Sequence, residues 1–233
     1  MAYRVRQLTP VSLSEGPEMD AIQDVLSNAF QSDLFTAVVT AHDPAGTDTS
    51  HVGPFWKSTV IAGLLGGEVY VAETIDKKII GCAVWFGPGR TMYDTEDQQE
   101  LSLGPLMASF NEELQNWWHT DFLPKYDSVV ASALGGDDVK HNSWHLQTLG
   151  VDPAYQRKHV AKLLIEAIAE KAKVTQSSLC TECETETNVE VYTRLGFEMM
   201  PKGGDKNTSK TFFTGVNGHS FPMWVMARGS KLG

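Results

Sequence analysis

The sequence predicts a mixed α/β fold in which helices flank one central, mostly antiparallel, twisted sheet of about seven strands. Three observations support this. Residues 68–75 and 79–86 are rich in Val, Ile and aromatic side chains and are separated by three polar residues, which is typical of an antiparallel hairpin. Residues 146–173 read as a strand, a polar turn and a helix. A terminal hairpin that ends in residues 221–228 adds the last strands.

The N-terminal elements follow from periodicity. Residues 3–8 alternate as a first strand does. Residues 18–30 place apolar side chains at helical spacing, and we expect residues 31–40 to continue this helix irregularly. Residues 40–53 are rich in Asp, Gly, Thr and Pro and read as a loop. A second helix over 54–65 stops at Gly66-Gly67 before the hairpin.

Residues 90–142 are predicted to form a helical insertion between the third and fourth strands. Apolar residues recur at steps of three and four over 96–120. We expect Pro105 to split this stretch into two helices or to open the second one. Residues 121–136 are expected to include a short helix, and 135–142 are expected to form a polar loop.

The C-terminal elements alternate between strands and helices. A fourth strand over 144–151 precedes the helix 160–173, and a fifth strand over 178–184 precedes a short helix over 188–195. Gly196 ends that helix, and a further strand opens at Phe197 before a polar loop.

Composition limits the classes of partner. A chain of 233 residues, 42% hydrophobic and 21% charged, is expected to form one domain over residues 1–233. The net charge of −10 argues against nucleic acid or an anionic membrane surface as the main partner. Three cysteines do not make a disulfide framework. The N-terminus lacks the apolar core of a signal peptide and no stretch suits a membrane span, so a cytoplasmic protein is expected.

The turn between the fourth strand and the next helix has the features of an anion site. A helix start presents N–H groups without intrahelical acceptors at the positive end of the dipole, where phosphates bind. Arg157 and Lys158 add cationic side chains at the same place. An ordinary helix start with a solvated Arg-Lys pair is the alternative.

These residues resemble a known family. The run Gln156-Arg157-Lys158-His159-Val160-Ala161 is similar to the Gln/Arg-x-x-Gly-x-Gly/Ala pyrophosphate loop of the GNAT superfamily of acyl-CoA-dependent N-acyltransferases. The segment Asn188…Tyr192…Gly196-Phe197 resembles the family's Asn-x-x-x-x-Tyr-x-x-x-Gly-Phe segment, and residues 66–86 resemble its second and third strands. The greatest likeness is to puromycin N-acetyltransferase-like and fungal-type members. His159 stands where the family usually has glycine, and we expect helical φ and ψ angles there, which suit any L-residue.

The resemblance implies the GNAT fold, splayed between strands four and five around the pantetheine arm of acetyl-CoA, the acyl donor, with no metal. It implies that the backbone of Leu149, Gly150 and Val151 bonds the pantetheine amides, with Gly150 allowing close approach. Tyr192 would protonate the leaving sulfur. The remaining cofactor-binding residues would be Gln156, Arg157, Lys158, His159, Val160, Ala161, Lys162 and Asn188.

The group that removes a proton from the acceptor amine is less defined. Period-two alternation places Cys180, Glu182 and Glu184 on one face of the fifth strand, and Glu182 is the candidate that attracts the ammonium or relays its proton. A solvent-facing acidic strand explains the same pattern. His145 is the second candidate and His119 a weaker one.

Zinc at Cys180-x-x-Cys183 is not expected. Two further ligands would be needed, and the two cysteines fall on opposite faces of a strand.

The sequence thus predicts an acetyl-CoA-dependent N-acetyltransferase that acts on a small primary amine by direct attack in a ternary complex. The insertion, with Trp117-Trp118, is expected to cover the acceptor pocket. A non-catalytic acyl-CoA-binding or sensing module and a protein N-terminal or lysine acetyltransferase are the alternatives. The amine is not identified at this point, and homodimer formation stays open.

Overall fold

In the N-terminal part of the chain, the described residues form three strands and three helices. The computed structural model describes residues 3–9, 16–46 and 48–229. In chain order the first elements are β1 (Arg4–Gln7), α1 (Pro17–Ala29), α2 (Leu34–Val39), α3 (Val52–Gly66), β2 (Glu68–Glu73) and β3 (Ile79–Phe86). The predicted elements are confirmed, and the stretch read as an irregular continuation of α1 is the separate helix α2. Asp33 caps α2, accepting a hydrogen bond from the Thr36 N–H.

The insertion between β3 and β4 consists of helices. They are α4 (Glu96–Gln98), α5 (Gly104–Ser109), α6 (Glu112–Trp117), α7 (Leu123–Leu134) and α8 (Asp137–His141), with π-helical turns at Gln99–Leu103 and Trp118–Phe122.

One expectation for the insertion is confirmed and another is wrong. Pro105 opens the second helix, because it lies in the first turn of α5, where an N–H is dispensable, and a π-helical turn joins α5 to α4. The helical path breaks at Phe110, whose backbone is extended, and Asn111 caps the next helix. The predicted polar loop over 135–142 contains α8, whose acidic first turn and basic last turn complement the helix dipole.

The C-terminal part carries the remaining strands. They are β4 (Trp144–Val151), β5 (Leu179–Cys183), β6 (Glu198–Met200), β7 (Thr211–Thr214) and β8 (Ser220–Arg228), with α9 (Val160–Thr175) and α10 (Glu186–Arg194) between β4 and β6. A short 3₁₀ turn, Pro153–Tyr155, follows β4.

One sheet joins the eight strands of the described residues, in the order β1-β2-β3-β4-β5-β8-β6 with β7 also paired to β8. This is one strand more than the expected seven. Every pairing is antiparallel except that of β4 with β5, which is parallel. The parallel pair covers only Trp144, His145 and Leu146 opposite Leu179, Cys180 and Thr181. Beyond Leu146 the two strands separate, so the predicted splay is confirmed.

Two apolar cores cover the two faces of the sheet. Helices α1 and α3 and the insertion pack on one face around Leu26, Trp56 and Phe86. Helices α9 and α10 pack on the other around Trp85 and Leu164. Burial of this apolar surface holds the helices against the strands and fixes the two sides of the splayed gap. Within the described residues, none of the helices has the length and apolar character needed to cross a membrane.

Candidate active site

A cleft of about 1760 Å³ opens where β4 and β5 separate. Its wall combines the start of α9, one side of α10, the aromatic side chains of α1 to α3 and part of the insertion. The cleft brings together the residues predicted from the sequence to bind the cofactor or to act in catalysis, except Gly150 and Lys158. Of the two candidate histidines, His119 lies on the wall and His145 is buried next to Glu182.

The open edge of β4 presents backbone groups to the cleft. The Asp152 N–H donates to the Ile80 carbonyl, and Gly150 lies opposite Cys82. Because antiparallel pairing alternates the direction of backbone groups, Gly150 directs its N–H and C=O toward β3, and Leu149 and Val151 direct theirs into the gap. An extended ligand with amide groups can pair with Leu149 and Val151 as a strand would.

Gly150 is required by packing. A Cβ at this position would lie 2.6 Å from Cδ2 of Leu26 and 3.3 Å from the ring of Phe30, both on α1 or at its end. The expectation that this glycine allows close approach of a ligand is therefore wrong. The backbone of Gly150 forms hydrogen bonds with β3, and the absence of a side chain leaves space for α1.

The turn that leads into α9 leaves backbone donors at the cleft. Asp152 accepts a hydrogen bond from the Ala154 N–H at 2.9 Å and fixes the start of the turn. The first intrahelical bond of α9 runs from the Leu163 N–H to the His159 carbonyl. The three preceding amides, of Val160, Ala161 and Lys162, thus have no intrahelical acceptor.

The two cations of the turn differ in direction. Arg157 lines the cleft and is exposed. Lys158 turns back, because its Nζ donates to the Ala154 carbonyl at 2.8 Å and lies 5.1 Å from the centroid of the Tyr155 ring. Of the predicted pair, Arg157 is the side chain in position to meet an anion in the cleft.

His159 does not have the expected backbone conformation. Its φ and ψ are 65° and 11°, in the left-handed region, and Arg157 also has a positive φ of 58°. Glycine adopts this region freely, and an L-residue does so at a cost of roughly 1–2 kcal/mol. The expectation of helical angles at His159 is wrong, and the turn is strained where the family has glycine.

The strain at His159 predicts a selective effect of side-chain branching. His159→Val is expected to lower the free energy of unfolding by about 1–2 kcal/mol, because a β-branched residue is poorly tolerated at positive φ, whereas His159→Gly is expected not to lower it. Urea-induced unfolding without ligand measures both. Lys158→Val, at an exposed neighbour with negative φ, serves as the control. Equal losses in the two valine variants would contradict the strain.

Tyr192 and Asn188 reach the cleft from α10. The Thr185 side chain caps this helix by accepting from the Asn188 N–H at 3.0 Å. Tyr192 lies one turn further on, 8% exposed, with its ring edge-to-face against Phe197 at 5.4 Å between centroids. Burial, chiefly, and then the acidic groups nearby raise the pKa of Tyr192, so its phenol stays protonated at neutral pH.

Glu182 belongs to a buried polar network. Its Oε2 lies 2.8 Å from Nε2 of His145 and accepts a hydrogen bond from the Tyr126 hydroxyl at 2.8 Å. Lys140 Nζ in turn donates to the Tyr126 hydroxyl at 2.6 Å. The other carboxylate oxygen, Oε1, is buried without a partner among the described residues. The insertion therefore supplies two of the groups that hold this β5 carboxylate.

The network keeps Glu182 ionised and lowers the pKa of His145. Burial opposes ionisation of Glu182, but the charges of protonated His145 and of Lys140, with the hydrogen bonds from His145 and Tyr126, hold the pKa of Glu182 at about 2. Burial, and then the charge of Lys140, lower the pKa of His145. Glu182 is thus an anion at neutral pH that binds a proton weakly and attracts a cation.

Glu184 and Asp33 are among the carboxylates of the cleft wall that sequence reasoning missed. Glu184 follows β5, and Asp33 precedes α2. Glu184 shares its strand face with Glu182, which was the available signal, and Asp33 before an apolar run has the pattern of a helix cap. Tyr126 and Lys140 were missed as well. The contact of Tyr126 with Glu182 spans 56 residues of chain and leaves no local pattern, and Lys140 joins the network through Tyr126.

The two tryptophans of the insertion have different positions. Trp118 lines the cleft, and its indole N–H donates to the Val39 carbonyl at 2.8 Å. The Trp117 indole N–H donates to the Thr214 carbonyl at 2.9 Å, which fastens the insertion to β7. The expected cover over the cleft is thus formed by Trp118, Phe122 and Tyr126.

The cysteines are buried and apart. Cys180 packs in the core on the insertion side and Cys183 in the core under α9, so their predicted placement on opposite faces is confirmed. Burial raises the pKa of each thiol, that of Cys82 to about 12. No cluster of three or more His, Cys, Asp or Glu suited to a metal occurs among residues 3–9, 16–46 and 48–229.

Solved structures share this architecture. Arylalkylamine N-acetyltransferase 2 from Aedes aegypti is 17% identical, with a TM-score of 0.61 over 98% of this chain and 99% of that one. Polyamine N-acetyltransferase from Drosophila melanogaster is 13% identical, with a TM-score of 0.58 over 98% and 100%. A Corynebacterium glutamicum structure described as histone acetyltransferase HPA2 and related acetyltransferase is 15% identical, with a TM-score of 0.56 over 100% and 99%. These likenesses show the GNAT fold. A search of curated proteins found no match.

The family follows from the sequence match. The model of the acetyltransferase (GNAT) family matches residues 64–197, which run from the end of α3 to the residue before β6. The match covers more than half of the chain and includes both strands of the cleft, the turn into α9 and Tyr192. The chain therefore belongs to the GNAT family of acetyltransferases, whose co-substrate is acetyl-CoA.

Proposed function

We propose that this protein is an acetyl-CoA-dependent N-acetyltransferase that moves the acetyl group to the primary amine of a small molecule by direct attack in a ternary complex. The observation that carries the proposal is the cleft itself, because free helix-start amides, an open strand edge, a protonated tyrosine and carboxylates all face one space. We take residues 1–233 as one acetyltransferase domain with the helical insertion 90–142.

The proposed cofactor site uses the β4 side of the cleft. The amides of Val160, Ala161 and Lys162 and the side chain of Arg157 would bind the pyrophosphate. The backbone of Leu149 and Val151 would pair with the pantetheine arm, and Asn188 would contact the cofactor from α10. This arrangement brings the thioester to the gap between β4 and β5, next to Tyr192. Gln156 and His159 would shape the turn.

The proposed acceptor site lies on the insertion side. Phe30, Phe35, Phe55, Trp118 and Phe122 form a largely apolar wall there. Such a wall favours an amine with an aromatic or aliphatic body. Because the insertion is fastened to the sheet through the Glu182 network, it encloses the acceptor end and favours a small molecule over a protein tail.

The proposed chemistry divides between two sides of the thioester. Glu182, ionised and with one oxygen unpartnered, would attract the acceptor ammonium. Tyr192 would give its proton to the departing thiolate of CoA. Small amines are also the acceptors named for the Aedes and Drosophila structures that share the fold, an arylalkylamine and a polyamine N-acetyltransferase. The likeness to puromycin N-acetyltransferase-like proteins stays a prediction from motifs.

Calorimetric titration of acetyl-CoA tests the cofactor site. Arg157→Ala is expected to weaken binding roughly 10- to 100-fold, because a charge-assisted bond to phosphate is worth about 1.5–3 kcal/mol. Lys173→Ala removes the same charge near the other end of α9, where the side chain is exposed and pairs with Glu170, and should leave affinity unchanged. Equal weakening by both variants would mean that Arg157 acts only through overall charge.

Thiol release over a panel of primary amines tests turnover. Phenethylamine, hexylamine and spermidine sample aromatic, aliphatic and polycationic acceptors. Acetyl-CoA-dependent thiol release with at least one of them is the expected result. Binding of acetyl-CoA without turnover of any amine would favour the acyl-CoA-sensing alternative.

A further inference from the structure

Glu184 and Asp33 form a second pair of acidic side chains on the cleft wall, separate from the Glu182 network. We propose that Glu184 is the general base that takes the proton from the acceptor ammonium, and that Asp33 is a positioning residue that tunes Glu184. This inference deepens the proposed function and rests on it. The assignment differs from the sequence-based one, in which Glu182 relays the proton.

The geometry of Glu184 suits a residue that meets substrate. It follows the last residue of β5 and precedes Thr185, the cap of α10, so two elements fix its backbone. Its side chain is half-buried on the cleft wall and forms no side-chain hydrogen bond with any residue that the structure describes. A carboxylate held in a cleft without a partner is available to accept a proton.

Asp33 lies on the same wall and is held in place on one side. Its Oδ2 accepts hydrogen bonds from the Thr36 N–H at 2.8 Å and from the Thr36 hydroxyl at 3.0 Å. These bonds cap α2 and leave Oδ1 outside that pairing. The charge of Asp33 therefore has a fixed position from which it acts on Glu184.

Electrostatics separates Glu184 from Glu182. Burial first, then the charges of Asp33 and Glu182, raise the pKa of Glu184 well above its ordinary value. Burial also raises the pKa of Asp33, against the hydrogen bonds at its cap. A general base works best when its pKa lies near the operating pH, so the upward shift at Glu184 favours that role and the low pKa of Glu182, about 2, does not.

An independent observation points to a cation at this place. Glu182 is 8% exposed, lines the cleft and keeps Oε1 buried without a partner among the described residues. A buried carboxylate oxygen without a donor is costly, and a bound ammonium removes that cost. Glu182 therefore holds the ammonium, and Glu184 takes its proton.

The groups that face Glu184 come from three elements. Asp33 before α2 and Glu182 on β5 are anionic, and Cys183 and Tyr192 are held neutral by raised pKa values. The cations on the wider wall are Lys140, which bonds Tyr126, and Arg157, Lys162 and Arg194 at the cofactor side. Removal of Asp33's charge is thus expected to lower the pKa of Glu184.

The proton balance closes with these residues. The Glu184 carboxylate takes one proton from R–NH₃⁺, and the nitrogen lone pair forms the new C–N bond at the thioester carbon. The C–S bond breaks, its electron pair leaves on sulfur, and Tyr192 gives that sulfur its proton. The second nitrogen proton restores Tyr192 through water, and Glu184 returns its proton to solvent. The sum is R–NH₃⁺ plus acetyl-CoA to amide, CoA thiol and one H⁺.

The test is the pH profile of thiol release with the best amine of the panel named above. Glu184→Gln is expected to lower kcat at neutral pH about 100-fold and to abolish the acidic limb, with acetyl-CoA affinity unchanged. Asp33→Asn keeps the cap oxygen and is expected to move the acidic limb to lower pH. Glu186→Gln, an exposed glutamate outside the cleft, is the matched control and should behave as the wild type.

The outcomes separate the two levels of inference. Wild-type kcat and an unchanged acidic limb in Glu184→Gln, with the wild type active, would overturn the base assignment alone. Absence of acetyl transfer by the wild type to every amine would overturn the proposed function and this assignment with it. A neutral side chain relieves a carboxylate whose pKa is raised, so Glu184→Gln should unfold no more easily than wild type at pH 7.

Discussion

Tyr192→Phe is expected to lower kcat about 100-fold or more while acetyl-CoA binds as tightly as it does to the wild type. The change removes one hydroxyl and keeps the ring that packs on Phe197. Without the phenol proton the thiolate must leave as an anion inside a cleft that already holds Glu182 and Glu184.

The high pKa of Tyr192 does not argue against this role. Burial raises the pKa of the tyrosine, and it acts on the departing thiolate in the same cleft in the same direction, because both are anions when deprotonated. What matters is the difference between the two pKa values, which burial changes less than either one. Proton transfer from the Tyr192 hydroxyl to the departing sulfur therefore stays compatible with the raised pKa of the tyrosine.

Thiol release at saturating amine and acetyl-CoA measures the effect. Tyr155→Phe is the matched control, since Tyr155 also lines the cleft but lies at the turn, with its ring against Tyr3 and Lys78. It should keep wild-type kcat. A Tyr192→Phe variant as fast as Tyr155→Phe would remove Tyr192 from the chemistry.

Local pattern predicted the elements that build the cleft. The alternation of Trp144–Val151, the polar turn and the helical spacing after Val160 each act within a few residues, and the structure has the corresponding strand, turn and helix. The short pairing of β4 with β5 came from the resemblance. The side chain of Glu182 was placed on the correct face because strand periodicity is strict.

Local sequence pattern could not predict backbone strain or contacts between residues that are far apart in the chain. The left-handed backbone angles at His159 follow from how the turn closes between β4 and α9. The residue type gives no indication of them, because histidine rarely adopts these angles. The low pKa of Glu182 depends on Tyr126 and Lys140 from the insertion, which only the folded chain brings to β5. The glycine at position 150 was interpreted as room for a ligand, but it is required because a side chain there would collide with Leu26 of α1.

Glu182→Gln is expected to lower the free energy of unfolding at pH 7, by on the order of 1–3 kcal/mol, because the carboxylate loses its charge-assisted hydrogen bonds. The pKa of Glu182 is about 2 in the folded protein, against an ordinary value of 4.5. The unfolded chain therefore binds this proton more readily between those two values. The stabilisation is complete above about pH 4.5 and is lost as the pH falls toward 2.

Urea-induced unfolding at a series of pH values measures this contribution. The gap between wild type and Glu182→Gln should narrow below about pH 4.5, as the carboxylate of the wild type takes up its proton. Glu170→Gln, with a side chain 67% exposed and paired to Lys173, should stay within about 0.5 kcal/mol of the wild type. A gap that does not change with pH would mean that the charge of Glu182 is not its cause.

The same variant separates holding an ammonium from deprotonating it. Glutamine at 182 can still accept from His145 and Tyr126, so the wall keeps its shape while the negative charge is lost. We expect the KM for the amine to rise with a smaller change in kcat, because attraction of the cation is weakened and Glu184 still accepts the proton. Loss of kcat at unchanged KM would instead assign the proton transfer to Glu182. The opposite pKa shifts of the two carboxylates argue against that outcome, because the pKa of Glu182 is lowered and that of Glu184 is raised.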